Sequence, residues 1–125
     1  MADYPKAAAK NLADAVVLLE KGRWDGAAYH AGFAVECTLN ALLVANGGST
    51  SLGHNLSRLE SYIASSAQGP RTRRLSPTQS QILGNARIQR WSPTGIRYEA
   101  EFVHDALVAN TWYQAAKRFY HSVKP

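Results

Sequence analysis

An all-α bundle follows from three features of this 125-residue sequence. Apolar residues recur at steps of three and four over long stretches, as amphipathic helices require. Helix-starting and helix-ending residues flank those stretches. No run alternates polar and apolar residues as a half-buried strand would. The expected architecture is an up-and-down bundle of four main helices plus a shorter one, forming a single helical domain over residues 1–125.

The stretch from Trp24 to Asn46 organises the rest. At ~1.5 Å per residue it spans ~30 Å. Asp25 is placed as an N-cap, with Trp24 and Tyr29 at the two positions of a hydrophobic staple. Gly47-Gly48 closes the far end with the residue type that a left-handed C-terminal position favours. Ala27, Ala28, Ala31, Gly32, Ala34 and Ala41 are small enough for neighbouring helices to approach on several sides. Phe33, Val35, Leu39, Leu42 and Leu43 add bulk. A helix apolar nearly all round is buried. Glu36 in such a helix is costly to bury unpaired, so a partner is expected, with Arg97, His54 and Arg58 as candidates in that order.

The first helix is expected from about Pro5 to Lys21, with Ala9, Leu12, Ala13, Val16, Val17, Leu19 and Glu20 as its stripe and Gly22 ending it. The very short link to Trp24 makes an antiparallel hairpin. A third helix reads from His54 to Ile63, with Leu56, Leu59, Tyr62 and Ile63 on one face and a break from Ser65 to Pro70. Ser76, Pro77 and Gln79 form a capping-box signal for a fourth helix, running to about Arg90. Ile82, Leu83, Ala86 and Ile88 point inward. Ser92-Pro93-Thr94-Gly95 is a turn. The last helix is expected from about Glu99 to Ser122, with Phe102, Ala106, Ala109, Tyr113, Ala116, Tyr120 and Val123 in step. Glu99, Glu101 and Asp105 near its start, and Lys117, Arg118 and Lys124 near its end, suit the helix dipole.

Composition narrows the function. No apolar stretch reaches the ~18 residues of a membrane span, and the N-terminus lacks a signal-peptide layout, so a cytoplasmic location is the default. Cys37 is the single cysteine, which excludes an internal disulfide framework and reads as a small core residue. The net charge is +5, and no acid occurs from Ser61 to Tyr98, where Arg71, Arg73, Arg74, Arg87, Arg90 and Arg97 fall. That asymmetry predicts an anion-binding surface for nucleotide or RNA; a solvated arginine-rich loop is the alternative. No strand-linked glycine loop, metal-ligand spacing or nucleophile elbow is present, so no metal and no cofactor are expected.

Three local features remain. Gly53-His54-Asn55-Leu56 puts an imidazole and an amide at a helix start, where either side chain could cap. Trp91, Arg97 and Tyr98 bracket the proline–glycine turn, where aromatics could pin a loop. Arg97 and His104 are seven residues apart, nearly two turns on the expected last helix and so on one face. An arginine to hold a phosphate and a histidine to move a proton suit a ribonuclease; a surface arginine and a core-flanking histidine are the alternative.

In order, Gly22-Arg23-Trp24-Asp25-Gly26-Ala27-Ala28-Tyr29, Ala31-Gly32-Phe33-Ala34-Val35-Glu36-Cys37-Thr38-Leu39-Asn40-Ala41-Leu42-Leu43, Gly53-His54-Asn55-Leu56 and Trp91…Arg97-Tyr98 before a long final helix resemble the HEPN family. The resemblance covers nearly the whole chain. It implies a dimeric helical bundle, often a small chain paired with a minimal nucleotidyltransferase in a toxin–antitoxin module, and so a nucleotide-binding or partner-binding role. It also implies an alternative: a metal-independent ribonuclease using Arg97 and His104, which match the family's arginine–histidine spacing. Glu36, His54 and Arg97 match positions of the branch in which the Arg-Tyr dipeptide closes a loop before the last helix. With Tyr29 they form an expected ligand-binding or structural cluster.

Overall fold

The computed structural model describes residues 2–50, 52–67, 69–96 and 103–125, and all regular structure among them is helical. α1 spans Tyr4–Glu20, α2 Trp24–Ala45, α3 Leu56–Ser66 and α4 Pro77–Ala86. A 3-10 turn covers Ile88–Arg90, a one-turn helix α5 covers Pro93–Ile96, and α6 spans Ala106–Val123. α2 is the central rod, packing against α1, α3, α5 and α6, while α4 lies on α6.

α1 starts where Asp3 accepts the backbone N–H of Lys6 at 3.0 Å, with Pro5 in the first turn. Its buried stripe is Ala8, Leu12 and Ala15, with Val16 and Leu19 half-buried. Ala9, Ala13, Val17 and Glu20, expected inward, are exposed. The expected stripe was too wide, because a helix packed mainly on one neighbour buries only an i, i+4, i+7 line. Gly22, at φ +71°, turns the chain into α2. Pairs down the hairpin run antiparallel: Leu18 faces Gly26, and Asn11 Oδ1 lies 2.8 Å from His30 Nδ1.

α2 begins one residue before the expected cap. Arg23 holds the N-cap position but makes no side-chain capping bond to the helix, and Asp25 sits inside the first turn, so the Asp25 N-cap assignment is corrected. Its carboxylate instead accepts the backbone N–H groups of Val103 at 2.8 Å and His104 at 2.7 Å. The far end is as read. Gly47, at φ +76°, donates to Val44 O, and Gly48 donates to Leu43 O, which is a Schellman motif. Between the ends, Ala27, Ala28, Ala31, Val35 and Leu39 are fully buried, in a core shared with Leu59, Leu83 and Phe119.

α3 is capped by Asn55, whose Oδ1 accepts the N–H of Arg58 at 3.0 Å. Leu56, Leu59 and Ile63 face inward, while Tyr62 does not. The Ser76–Gln79 capping box is present in both directions, at 3.1 and 2.9 Å. α4 stops at Ala86, four residues short of the expected end, because Arg87 adopts φ +56°. The 3-10 turn that follows still buries Ile88. Where Ser92-Pro93-Thr94-Gly95 was expected as a turn, a short helix covers Pro93–Ile96.

α6 starts at Ala106, with Asp105 Oδ1 accepting the N–H of Val108 at 2.9 Å. The expected start near Glu99 is corrected: residues 103–105 are not helical, and the expected positions 99–102 lie outside the described residues. Trp112, Ala115 and Phe119 join Ala109, Tyr113, Ala116 and Val123 in the core, whereas Ala106 is exposed. Among the described residues, no helix is long and apolar enough to cross a membrane.

Candidate functional site: the Glu36–His54 pocket

Glu36 lies in the middle of α2 and is only 7% exposed. After α2 the chain loops back, and Gly53, at φ +81°, takes a conformation that favours glycine. This turn delivers His54 to the flank of α2. His54 Nδ1 lies 2.5 Å from Glu36 Oε1, while half of the His54 side chain stays open to solvent (53%). Because Asn55 supplies the cap of α3, the imidazole is free of that task. Burial pushes the Glu36 carboxyl above its ordinary value; the hydrogen bond and charge of His54 oppose that push. Next along α2, Cys37 is raised to about 11, first by burial and then by the Glu36 charge. A thiol held there is not a nucleophile near neutral pH.

Aromatic rings frame the pair. Phe33 meets Tyr29 and Trp91 edge-on, each at 4.8 Å between centroids, and His54 at 5.7 Å. Trp91 rests on Gly32, where an added Cβ would sit 2.1 Å from the indole. Only glycine at position 32 admits that ring. Beside His54 opens a pocket of about 340 Å³. Asn55, Gln89, Ser92 and Thr94 bring amide and hydroxyl groups to it, and Trp91 and Pro93 bring apolar surface. Gln89 Nε2 donates to Glu60 Oε1 at 3.2 Å. Burial raises the Glu60 carboxyl, and the Gln89 hydrogen bond opposes the rise.

Chemically, the pair is an imidazole fixed by a carboxylate. Nδ1 is engaged, and Nε2 is the nitrogen left to accept or pass a proton. Among the described residues, no three His, Cys, Asp or Glu side chains come close enough to hold a metal ion.

Of the cluster named from the sequence, Glu36 and His54 meet directly, and Tyr29 joins through Phe33. Arg97 lies outside the described residues. Arg58, an expected alternative partner, is exposed on α3, and His54 takes Glu36. His104 stands two residues before α6, with its ring against Trp112 at 4.7 Å and its backbone N–H on Asp25. The shared helix face expected of Arg97 and His104 is therefore corrected, because His104 precedes the helix. Asp25 and Glu36 are eleven residues apart on α2, which separates their attachment points by about 16 Å along the axis.

Arg71, Arg73, Arg74, Arg87 and Arg90 are all exposed. The arginine-rich segment is tied down at two of them. Arg73 Nη2 donates to Val123 O at 2.8 Å, at the end of α6, and Arg74 Nη2 to Ala67 O at 3.3 Å, at the end of α3. Asn46 clasps the Arg73 backbone from both sides, each bond 2.8 Å. Sequence reasoning missed Asn46, Glu60 and Gln89. Their partners are 27 and 29 residues away, and no local pattern signals such pairs. The Gly32 seat for Trp91 did leave a signal, in the small residues along α2.

Fold and site together define an all-α bundle with a buried carboxylate holding a half-exposed imidazole at the mouth of a small pocket. A family model described as "HEPN domain" matches residues 1–125. The chain belongs to the HEPN domain family. No curated protein and no solved structure matches it.

Proposed function

We propose that this protein is a HEPN-type nucleotide-binding module that partners a minimal nucleotidyltransferase, as a cytoplasmic homodimer and one half of a toxin–antitoxin pair. The observation that carries the nucleotide reading is the pocket at His54. It joins an indole, an imidazole and several amide and hydroxyl groups in a space near the lower end of the ~300–1,000 Å³ usual for small-molecule sites. The partner reading rests on family membership. Val103 and Leu107, 53% and 73% exposed before and within the first turn of α6, support a surface for a second copy.

The test is calorimetric titration of purified protein with mononucleotides at low salt, beside His54→Ala. Saturable binding that is lost in the variant supports the reading. Absence of binding, or binding indifferent to His54, rejects it. A monomer mass by light scattering at micromolar concentration rejects the dimer.

A second reading is favoured by one feature. Asp25 fixes the backbone of His104, which follows Arg97 by seven residues in the chain. On this reading the two residues form a metal-independent ribonuclease pair, His104 as the base and Arg97 as the phosphate clamp. RNA cleavage in EDTA, abolished by His104→Ala, is the result that selects it.

A further inference from the structure

Gln89 is oriented from outside the pocket it lines. Its Nε2 donates to Glu60, and an ionised carboxylate can only accept. One N–H of the amide is committed to that side, which turns the NH2 end towards Glu60 and leaves the amide oxygen as the acceptor Gln89 can offer to the pocket. His54 is constrained in the same manner. Nδ1 is committed to Glu36, so in the neutral ring Nδ1 carries the hydrogen and Nε2 accepts. Asn55 has the opposite polarity: its Oδ1 is taken by the N–H of Arg58, which leaves its amide NH2 to donate. Besides the Ser92 and Thr94 hydroxyls, which can turn to donate or accept, the pocket therefore offers two acceptors and an amide donor of fixed polarity beside the apolar surface of Trp91 and Pro93.

We propose that this pocket reads a guanine base, with Gln89 Oε1 and His54 Nε2 accepting from its N1–H and exocyclic amino group and Asn55 donating to its O6. The proposal rests on the nucleotide-binding reading above and adds the base. Guanine alone among the common bases presents two adjacent donors beside a carbonyl on its pairing edge. Adenine and cytosine place an acceptor next to their single amino group, and uracil has one N–H between two carbonyls. With any of these, an acceptor of the pocket faces a lone pair. Glu60 does not line this pocket; it lines the neighbouring one, with Arg74 and Ser57. It acts as a positioning residue, setting which end of the Gln89 amide faces the ligand.

The experiment is titration at pH 8 and low salt with GMP, AMP and IMP, which lacks the exocyclic amino group. GMP is expected to bind roughly tenfold or more tightly than AMP, since a desolvated acceptor left without a donor costs about that much, with IMP between. Glu60→Gln is the decisive variant. It keeps the size of the side chain and lets the Gln89 amide pair either way round, so the GMP/AMP ratio should fall towards one while melting stays at or above that of the parent. Loss of GMP binding in His54→Ala places the base at this pocket. Equal affinities for GMP and AMP in the parent, or an unchanged ratio in Glu60→Gln, overturn the base reading and leave nucleotide binding standing. No binding by any of the three overturns both.

Discussion

Replacing His54 by alanine strands a carboxylate that is 7% exposed. Removing one member of a fully buried pair costs ~3–5 kcal/mol. His54, however, is half open to solvent, so water screens part of the interaction. The size of a hydrogen bond to a charged group, ~1.5–3 kcal/mol, is the better guide. For a chain of this length, ~2 kcal/mol lowers the melting temperature by roughly 8 °C. Glu36→Gln is expected to behave differently. The amide keeps the shape and can still meet the imidazole, while the cost of burying a charge disappears, so melting should fall by less than half as much. Thermal melts of the three proteins at pH 7.5, followed by far-ultraviolet circular dichroism, decide it. Equal melting of His54→Ala and the parent, or as large a loss in Glu36→Gln as in His54→Ala, refutes the buried-pair account.

Gly32→Ala drives a methyl into the Trp91 indole; a loss of ~1–3 kcal/mol by overpacking is expected in urea unfolding, with a change in tryptophan emission. Asp25→Ala removes the acceptor of two backbone N–H groups, so amide exchange at Val103 and His104 should quicken well before the helices melt. Because burial raises the Glu60 carboxyl, its contribution to stability is full below the ordinary value of 4.5 and declines as pH rises through the folded-state value. Glu60→Gln should therefore gain melting temperature relative to the parent between pH 4 and pH 8. His30 has the opposite sign: burial lowers it from 6.5, with Asp14 opposing and Lys10 assisting. Its contribution is present above pH 6.5 and lost as pH falls through the folded-state value, and His30→Gln should remove that acid-side decline. Nucleotide affinity should fall steeply with added salt if the exposed Arg71, Arg87 and Arg90 take part.

The sequence by itself determined the helical class, the central place of Trp24–Asn46 and the caps whose signals are local. Ser76 with Gln79, Gly22 and Gly47 act on residues within one turn, so neighbouring letters suffice to read them. Glu36 announced its need for a partner through the cost of an unpaired buried charge, and His54 was among the named candidates. Tertiary structure decided what depends on distant chain. Asp25 left the capping role because two N–H groups near residue 104 reached its carboxylate. The last helix started at Ala106 because Asp105 could cap it there, which put His104 outside. α4 ended early because Arg87 took a left-handed conformation, bringing Gln89 to Glu60 and Trp91 onto Gly32. Such pairings join positions far apart in sequence, and their geometry exists only once the helices have packed.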